Sequence, residues 1–295
     1  MMTAAASSPP ASRTGATAGR RRRPGVRRNW LGGFGGFVWL AVIVVPIYYV
    51  VITSLRSQAG FFATNPLLPP LTPTLDNYAT VVQNQFGIYL MNSVIITLGS
   101  VLVTVAISLG AAYAIVRTRG RFVRGSFSLF LLGLAIPTHA TIIPLYWFIT
   151  RVHLYDSLIG LILPSIGFAV PITVLILANF LRDIPAELFE SMRVDGAGDL
   201  RMLWSLALPL ARPALVTVAI YDALHVWNGF LFPLILTQSP DKRVLPMALW
   251  TFQGEYNVNV PGVLAAVVLS TLPMLAAYVV GRRYLVSGLT AGFGK

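Results

Sequence analysis

Of the 295 residues, 56% are apolar, 11% are charged, none is cysteine and the net charge is +12. Ordinary soluble domains run at about 45–50% apolar and about 25% charged, so a soluble enzyme is excluded, and a disordered chain, whose composition would be the opposite, still more so. The lack of cysteine removes disulfides, thiolate nucleophiles, zinc knuckles and iron–sulfur sites from consideration.

Residues 1–28 are rich in Ala, Ser, Thr, Gly and Pro and carry Arg13, Arg20 to Arg23, Arg27 and Arg28. They hold almost nothing that could build a core and read as a disordered basic tail. A signal peptide would pair a basic start with an apolar region of about 7–15 residues and a small-residue cleavage site. Here the uncharged stretch runs from Asn29 to Leu55 without an Ala-x-Ala site, and it reads as a retained helix. Residues 29–295 then read as one membrane domain with six spans, about 34–55, 88–116, 126–149, 157–181, 210–236 and 262–285. Each is long enough to cross about 30 Å of hydrocarbon at about 1.5 Å per residue. Pro46, Pro137, Pro144, Pro164, Pro171, Pro233 and Pro273 fall within them. Such breaks are tolerated where neighbouring helices or a water-lined cavity satisfy the freed carbonyls.

The basic residues set an orientation. With the tail inside, the tail, 117–124, 182–213 and the end of the chain hold seven, four, four and three Lys or Arg, 18 of 22. Arg56, Arg151, Lys242 and Arg243 fall outside, and the acidic residues barely discriminate. That is the positive-inside pattern, and it places both termini in the cytoplasm of a multi-pass cell-membrane protein. The basic excess is then mainly topological, with some attraction to anionic lipid. No folded basic face with interleaved aromatics exists, so nucleic acid is not expected as a partner.

A search for chemistry returns mostly negatives. His139, His153 and His225 lie in three segments with no second ligand at metal spacing and read as packing or interfacial residues. Asp222 and His225 lie one helical turn apart in the fifth span, and intramembrane ionisable residues are functional candidates by default. They support the competing reading, a secondary transporter or channel. The segment Gly288 to Lys295 resembles a phosphate loop, but five residues rather than four separate Gly288 from Gly294, and no strand precedes it. No nucleotide site and no catalytic set is expected in this chain. Asn228 is a polar amide in an apolar span beside Trp227, a pair that suits a sugar's hydroxyls and apolar face.

The inside segment 183–213 carries helical organisation. Asp183 can cap, Pro185 suits a first turn, and Glu187 lies near the positive end of the helix dipole. Leu188, Phe189 and Met192 make one apolar face, and Asp195-Gly196 stops the helix, with Gly196 free to take the left-handed conformation. A second short helix through Leu200, Leu203 and Trp204 is expected to end near Leu208-Pro209. The residues alone leave two readings, an interfacial connector and a docking element for a cytoplasmic partner.

Glu190-Ser191-Met192, Asp195-Gly196-Ala197, Leu208-Pro209 and Pro213 resemble the EAA loop of ABC-importer permeases. In that family the pattern is Glu-Ala-Ala, three residues, Gly, and a Leu-Pro further on. Thr74 to Tyr78, Asn92-Ser93, Ala111 to Ala114, Trp227 to Leu234 and Gly288 to Gly292 are similar to its carbohydrate-uptake, maltose-permease-like branch. The departures are Ser191-Met192 for Ala-Ala and Gly229 where an acidic residue is common. The resemblance implies an all-α bundle of the type I importer kind with cytoplasmic coupling helices, and a non-catalytic permease subunit that translocates a sugar. It further implies a second permease, two ATPase subunits that bind ATP and Mg, and an extracellular solute-binding protein as partners. The coupling role would fall on Glu187, Leu188, Phe189, Glu190, Met192, Asp195, Gly196 and Ala197, and Trp227 and Asn228 would line the substrate pathway.

Overall fold

The computed structural model describes residues 30–118, 120–249 and 258–291. The basic tail 1–28 and the last motif residues, Gly292 to Lys295, lie outside them. Contacts divide the chain at Pro46. The first unit, residues 1–45, contributes the front of α1 (Trp30–Ser54), where large side chains such as Phe37 and Trp39 are exposed. A helix apolar all round suits lipid.

The second unit is built of helices. After the last turns of α1 come α2 (Gln58–Ala63), α3 (Asp76–Val81), α4 (Gly87–Arg117), α5 (Arg121–Leu134), α6 (Ile142–Arg151) and α7 (Leu158–Arg182). Then follow α8 (Ala186–Val194), α9 (Asp199–Met202), α10 (Leu208–Trp227), α11 (Leu231–Leu236), α12 (Leu245–Ala248) and α13 (Val260–Ala291). Five helices of the described chain are long and apolar enough to cross a membrane, and six if one bent pair counts as a span.

That bent pair falls on the expected third span. Residues 126–149 are not one rod: α5 and the helix from Thr138 to Arg151 meet at 95°. Pro137 sits at the bend, where its ring cannot continue an α-helix. The expected fifth span, 210–236, is also broken. α10 ends at Trp227, Asn228 caps it, and α11 starts at Leu231. Pro164, Pro171 and Pro213, by contrast, sit inside continuous helices.

α4, α7 and α10 pack against one another at the centre. On α4, Ser93, Thr97, Ser100, Thr104, Ser108 and Ala112 form a buried stripe. Small side chains at this spacing let helices approach closely in a membrane, where apolar burial drives little association. Gly99 on the same helix lies so near α7 that an added Cβ would stand 3.1 Å from Ile162 Cδ1. At one end of the bundle Leu109, Tyr113, Leu177, Leu181, Phe189 and Met202 belong to one core cluster. At the other, Ile96, Ile149, Leu161, Leu236, Val244 and Met247 form a second.

Candidate functional site

The segment expected to couple to a partner lies on the first of these clusters. α8 starts at Ala186 with Pro185 at the N-cap position, and Asp183 instead caps the end of α7. Asp183 therefore does not cap α8; its backbone N–H is taken by the Phe180 carbonyl. The helix stop is as expected. Gly196 has φ +80°, its N–H bonds the Arg193 carbonyl at 3.1 Å, and the Ala197 N–H bonds the Met192 carbonyl at 2.9 Å. This is the Schellman arrangement. A Cβ on Gly196 would meet nothing within 4 Å, so a substitution there costs backbone strain rather than a clash.

The expected apolar face of α8 is divided. Phe189 is only 2% exposed: its ring centroid lies 6.3 Å from that of Tyr113, and the Arg117 guanidinium sits over it at 4.0 Å. Met192 is half-buried and Leu188 is exposed. The geometry explains the division: at about 100° per residue, Met192 lies between the other two, about 40° from Leu188 and about 60° from Phe189. One edge of the face meets the chain's own core and the other stays free. Ala197 is buried, while Glu187, Glu190, Ser191 and Asp195 are exposed. Phe189, Met192 and Ala197 thus root the elbow, and Leu188 and the acids are what a partner could touch.

The second helix does not end near Leu208-Pro209. α9 continues through a wide turn at Leu203–Ala207 into α10, so that Asp199–Trp227 is one continuous run. Within that turn the Leu208 N–H bonds the Leu203 carbonyl, five residues back. A π-type turn loosens the ladder where Pro209 lacks a donor and would crowd the carbonyl four residues earlier. Trp204 and Leu200 are exposed and Met202 is buried. An exposed ion pair, Arg193 to Asp199 at 2.8 Å, spans the elbow.

At the far end of that run, the break after Trp227 opens a cleft of about 700 Å³ lined by residues including Trp227, Asn228, Pro246, Val267, Ser270 and Thr271. Trp227 is mostly buried and its Nε1–H donates to the Ser270 carbonyl at 3.4 Å. Asn228 is exposed, and its Nδ2 donates to the Leu224 carbonyl at 2.8 Å. Asp222 and His225 do not form a pair. Asp222 is 1% exposed and Thr173 Oγ1 of α7 lies 2.9 Å from its Oδ2, while exposed His225 stacks on Tyr221 with centroids 6.3 Å apart.

The end of the bundle away from α8 holds anchors whose partners sequence reasoning did not identify. Arg56, 2% exposed, gives its guanidinium to the Thr64 hydroxyl and to the carbonyls of Asn65 and Leu68, fastening the α2 loop. Asn77 Nδ2 donates to the carbonyls of Ser54 at 2.9 Å and Arg56 at 2.7 Å. Asn92 Nδ2 donates to the carbonyls of Asp241 and Arg243, both at 2.8 Å, and the Leu245 N–H donates to Ser93 Oγ at 2.9 Å. Asp156, at φ 56°, accepts from the backbone of Gln238 at 2.9 Å and Ser239 at 3.0 Å, and from Ser239 Oγ at 2.5 Å. Those hydrogen bonds hold its carboxyl below the ordinary carboxylate range. Asn77, Asn92 and Ser93 were visible as motif residues; what they bind was not.

Comparison with known proteins agrees with this architecture. Residues 104–290 match the family described as "Binding-protein-dependent transport system inner membrane component". A provisionally named ABC transporter permease protein of Caldicellulosiruptor sp. is 39% identical, over 88% of this chain and 94% of its own length. The diacetylchitobiose uptake system permease protein NgcG of Streptomyces coelicolor is 31% identical, over 86% and 85%. Among solved structures, a bacterial ABC transporter involved in the import of the acidic polysaccharide alginate has a chain that matches with a TM-score of 0.77 at 25% identity, covering 89% of this chain and 99% of that one. This chain belongs to the family of inner membrane components of binding-protein-dependent transport systems.

Proposed function

We propose that the chain is the non-catalytic permease subunit of an ABC importer for a sugar, lying in the cell membrane with both termini cytoplasmic. A solute-binding protein delivers the sugar, a second permease completes the pathway, and two ATPase subunits bind ATP and Mg and supply the energy. Relatives named for diacetylchitobiose and glucose transport support the substrate class. The charge asymmetry, with 18 of 22 basic residues in the segments expected inside, supports the orientation.

The observation that carries the mechanism is the rooted elbow of α8 and α9. ATP hydrolysed in another subunit can act on a membrane pathway only through a mechanical contact. α8 presents Glu187, Leu188, Glu190 and Asp195 outward, while Phe189 transmits any displacement to Tyr113 and Arg117 of α4. The continuous helix from Asp199 to Trp227, about 43 Å at 1.5 Å per residue, joins the elbow to the cleft at Asn228. Movement at the elbow thereby reaches the break that Trp227 and Asn228 border, which is where the sugar pathway is placed.

The test uses Glu190→Lys and Gly196→Asp in the assembled transporter. The first reverses an exposed charge; the second puts a side chain on a left-handed residue, at about 1–2 kcal/mol. Both are expected to leave the permease inserted while loosening the ATPase on co-purification and abolishing sugar uptake. Wild-type ATPase retention and uptake in both would reduce the elbow to a connector.

A further inference from the structure

We propose that the cleft where the ends of α4, α5 and α7 meet holds the headgroup of an anionic phospholipid of the inner leaflet. The leaflet rests on the orientation above; the site itself does not. The cleft encloses about 540 Å³, with Ile115, Val116, Val123 and Phe127 on its apolar wall and Thr118 and Arg182 among its polar residues. Arg182 is exposed at the last turn of α7, its guanidinium 4.9 Å from the Phe127 ring centroid and its Nη1 donating to Asn179 Oδ1 at 3.1 Å. Arg182 is in no ion pair among the described residues.

The sequence next to two lining residues, Thr118 and Gly120, is basic. Arg117, Arg119, Arg121 and Arg124 fall within eight residues that contain no acid, and Asp183 is the one carboxylate beside Arg182. Guanidinium groups bind phosphate through paired, charge-assisted hydrogen bonds, and basic clefts between membrane helices on the cytoplasmic side suit acidic headgroups. The apolar wall selects a lipid over a free anion. It adjoins α5, which exposes Phe122, Leu129 and Leu132, a surface along which an acyl chain can lie. One end of the ligand is therefore anionic and the other hydrocarbon.

Native mass spectrometry of the purified complex in detergent tests this, with phosphatidylglycerol and phosphatidylcholine offered to wild type, Arg182→Gln and Arg182→Lys. Wild type is expected to retain phosphatidylglycerol in preference. Arg182→Gln should lower that retention roughly five-fold, the worth of one basic residue at an anionic membrane surface, with phosphatidylcholine unchanged and Arg182→Lys close to wild type. Equal retention of the two lipids by wild type, or unchanged phosphatidylglycerol on Arg182→Gln, overturns the proposal. So does displacement of the lipid by an equal concentration of inorganic phosphate. The readout needs neither uptake nor an oriented membrane, so failure of the transport reading would leave it intact, and failure here would leave that reading intact.

Discussion

At one end of the bundle, Arg56, Asn77, Asn92 and Asp156 clamp backbone groups of neighbouring segments; at the other, α8 is fastened by Phe189, Met192 and Ala197 and leaves its acids unpaired by any ion pair among the described residues. The clamped segments are loops and short helices, and directional hydrogen bonds fix them beside the buried side chains of Val244, Leu245 and Met247. The α8 elbow is fixed instead by a buried aromatic, a glycine stop with its two backbone hydrogen bonds, and one exposed ion pair. Its outer edge is consequently free for a partner, whereas the clamped end has committed its polar groups to itself.

Two substitutions in α8 sharpen that contrast. Phe189→Ala removes the root of the elbow and is expected to cost about 3–5 kcal/mol, the usual loss for a buried phenylalanine. Leu188→Ala, one residue away but exposed, should stay within about 0.5 kcal/mol. Thermal unfolding of the detergent-solubilised complex measures both, and equal losses would erase the proposed division of the α8 face.

Arg56→Met takes a buried cation from the carbonyls of Asn65 and Leu68 and should cost about 2–3 kcal/mol, with ATPase retention unchanged. Arg56→Lys should recover part of it, since an ammonium lacks the fork that reaches several acceptors at once. A loss of ATPase binding with Arg56→Met would show that the two ends are not separate in the way described.

The smallest effect is a pH dependence at Asp156. Its carboxyl titrates below the ordinary value, so its contribution is fully present above the unfolded value of about 3.9 and is lost as pH falls through the lower folded value. Hydrogen exchange of the Gln238 and Ser239 amides should therefore stay slow from neutral pH to about 4, and Asp156→Asn should speed it at every pH. Protection that fades already near neutrality would mean that another group holds the loop.

Much of this was legible beforehand because helices announce themselves by period and length. The ends of α4 and α7 fell within a residue or two of the expected spans, and the stop at Gly196 was readable because few other residues accept φ +80°. The 95° bend near Pro137 and the break at Asn228 were not, since prolines at Pro164 and Pro171 look the same in sequence and leave α7 continuous. Whether a proline bends its helix depends on what supports the freed carbonyl. The inward turn of Phe189 was hidden for a similar reason: an apolar stripe does not say whether its partner is the chain's own core or another protein. Arg56 was counted only as one basic residue outside, because its acceptors are carbonyls, which every residue has.

The central claim, that the free edge of α8 seats against an ATPase subunit, is tested most directly by cross-linking. The chain contains no cysteine, so a single one can be placed at Leu188, or at the 95% exposed Leu71 of the opposite end as control. With a short thiol-to-amine reagent acting on the assembled transporter in membranes, the cysteine at 188 is expected to join the permease to the ATPase subunit and the cysteine at 71 is not. A cross-link from 71, or none from 188 while the ATPase stays bound, would contradict the account.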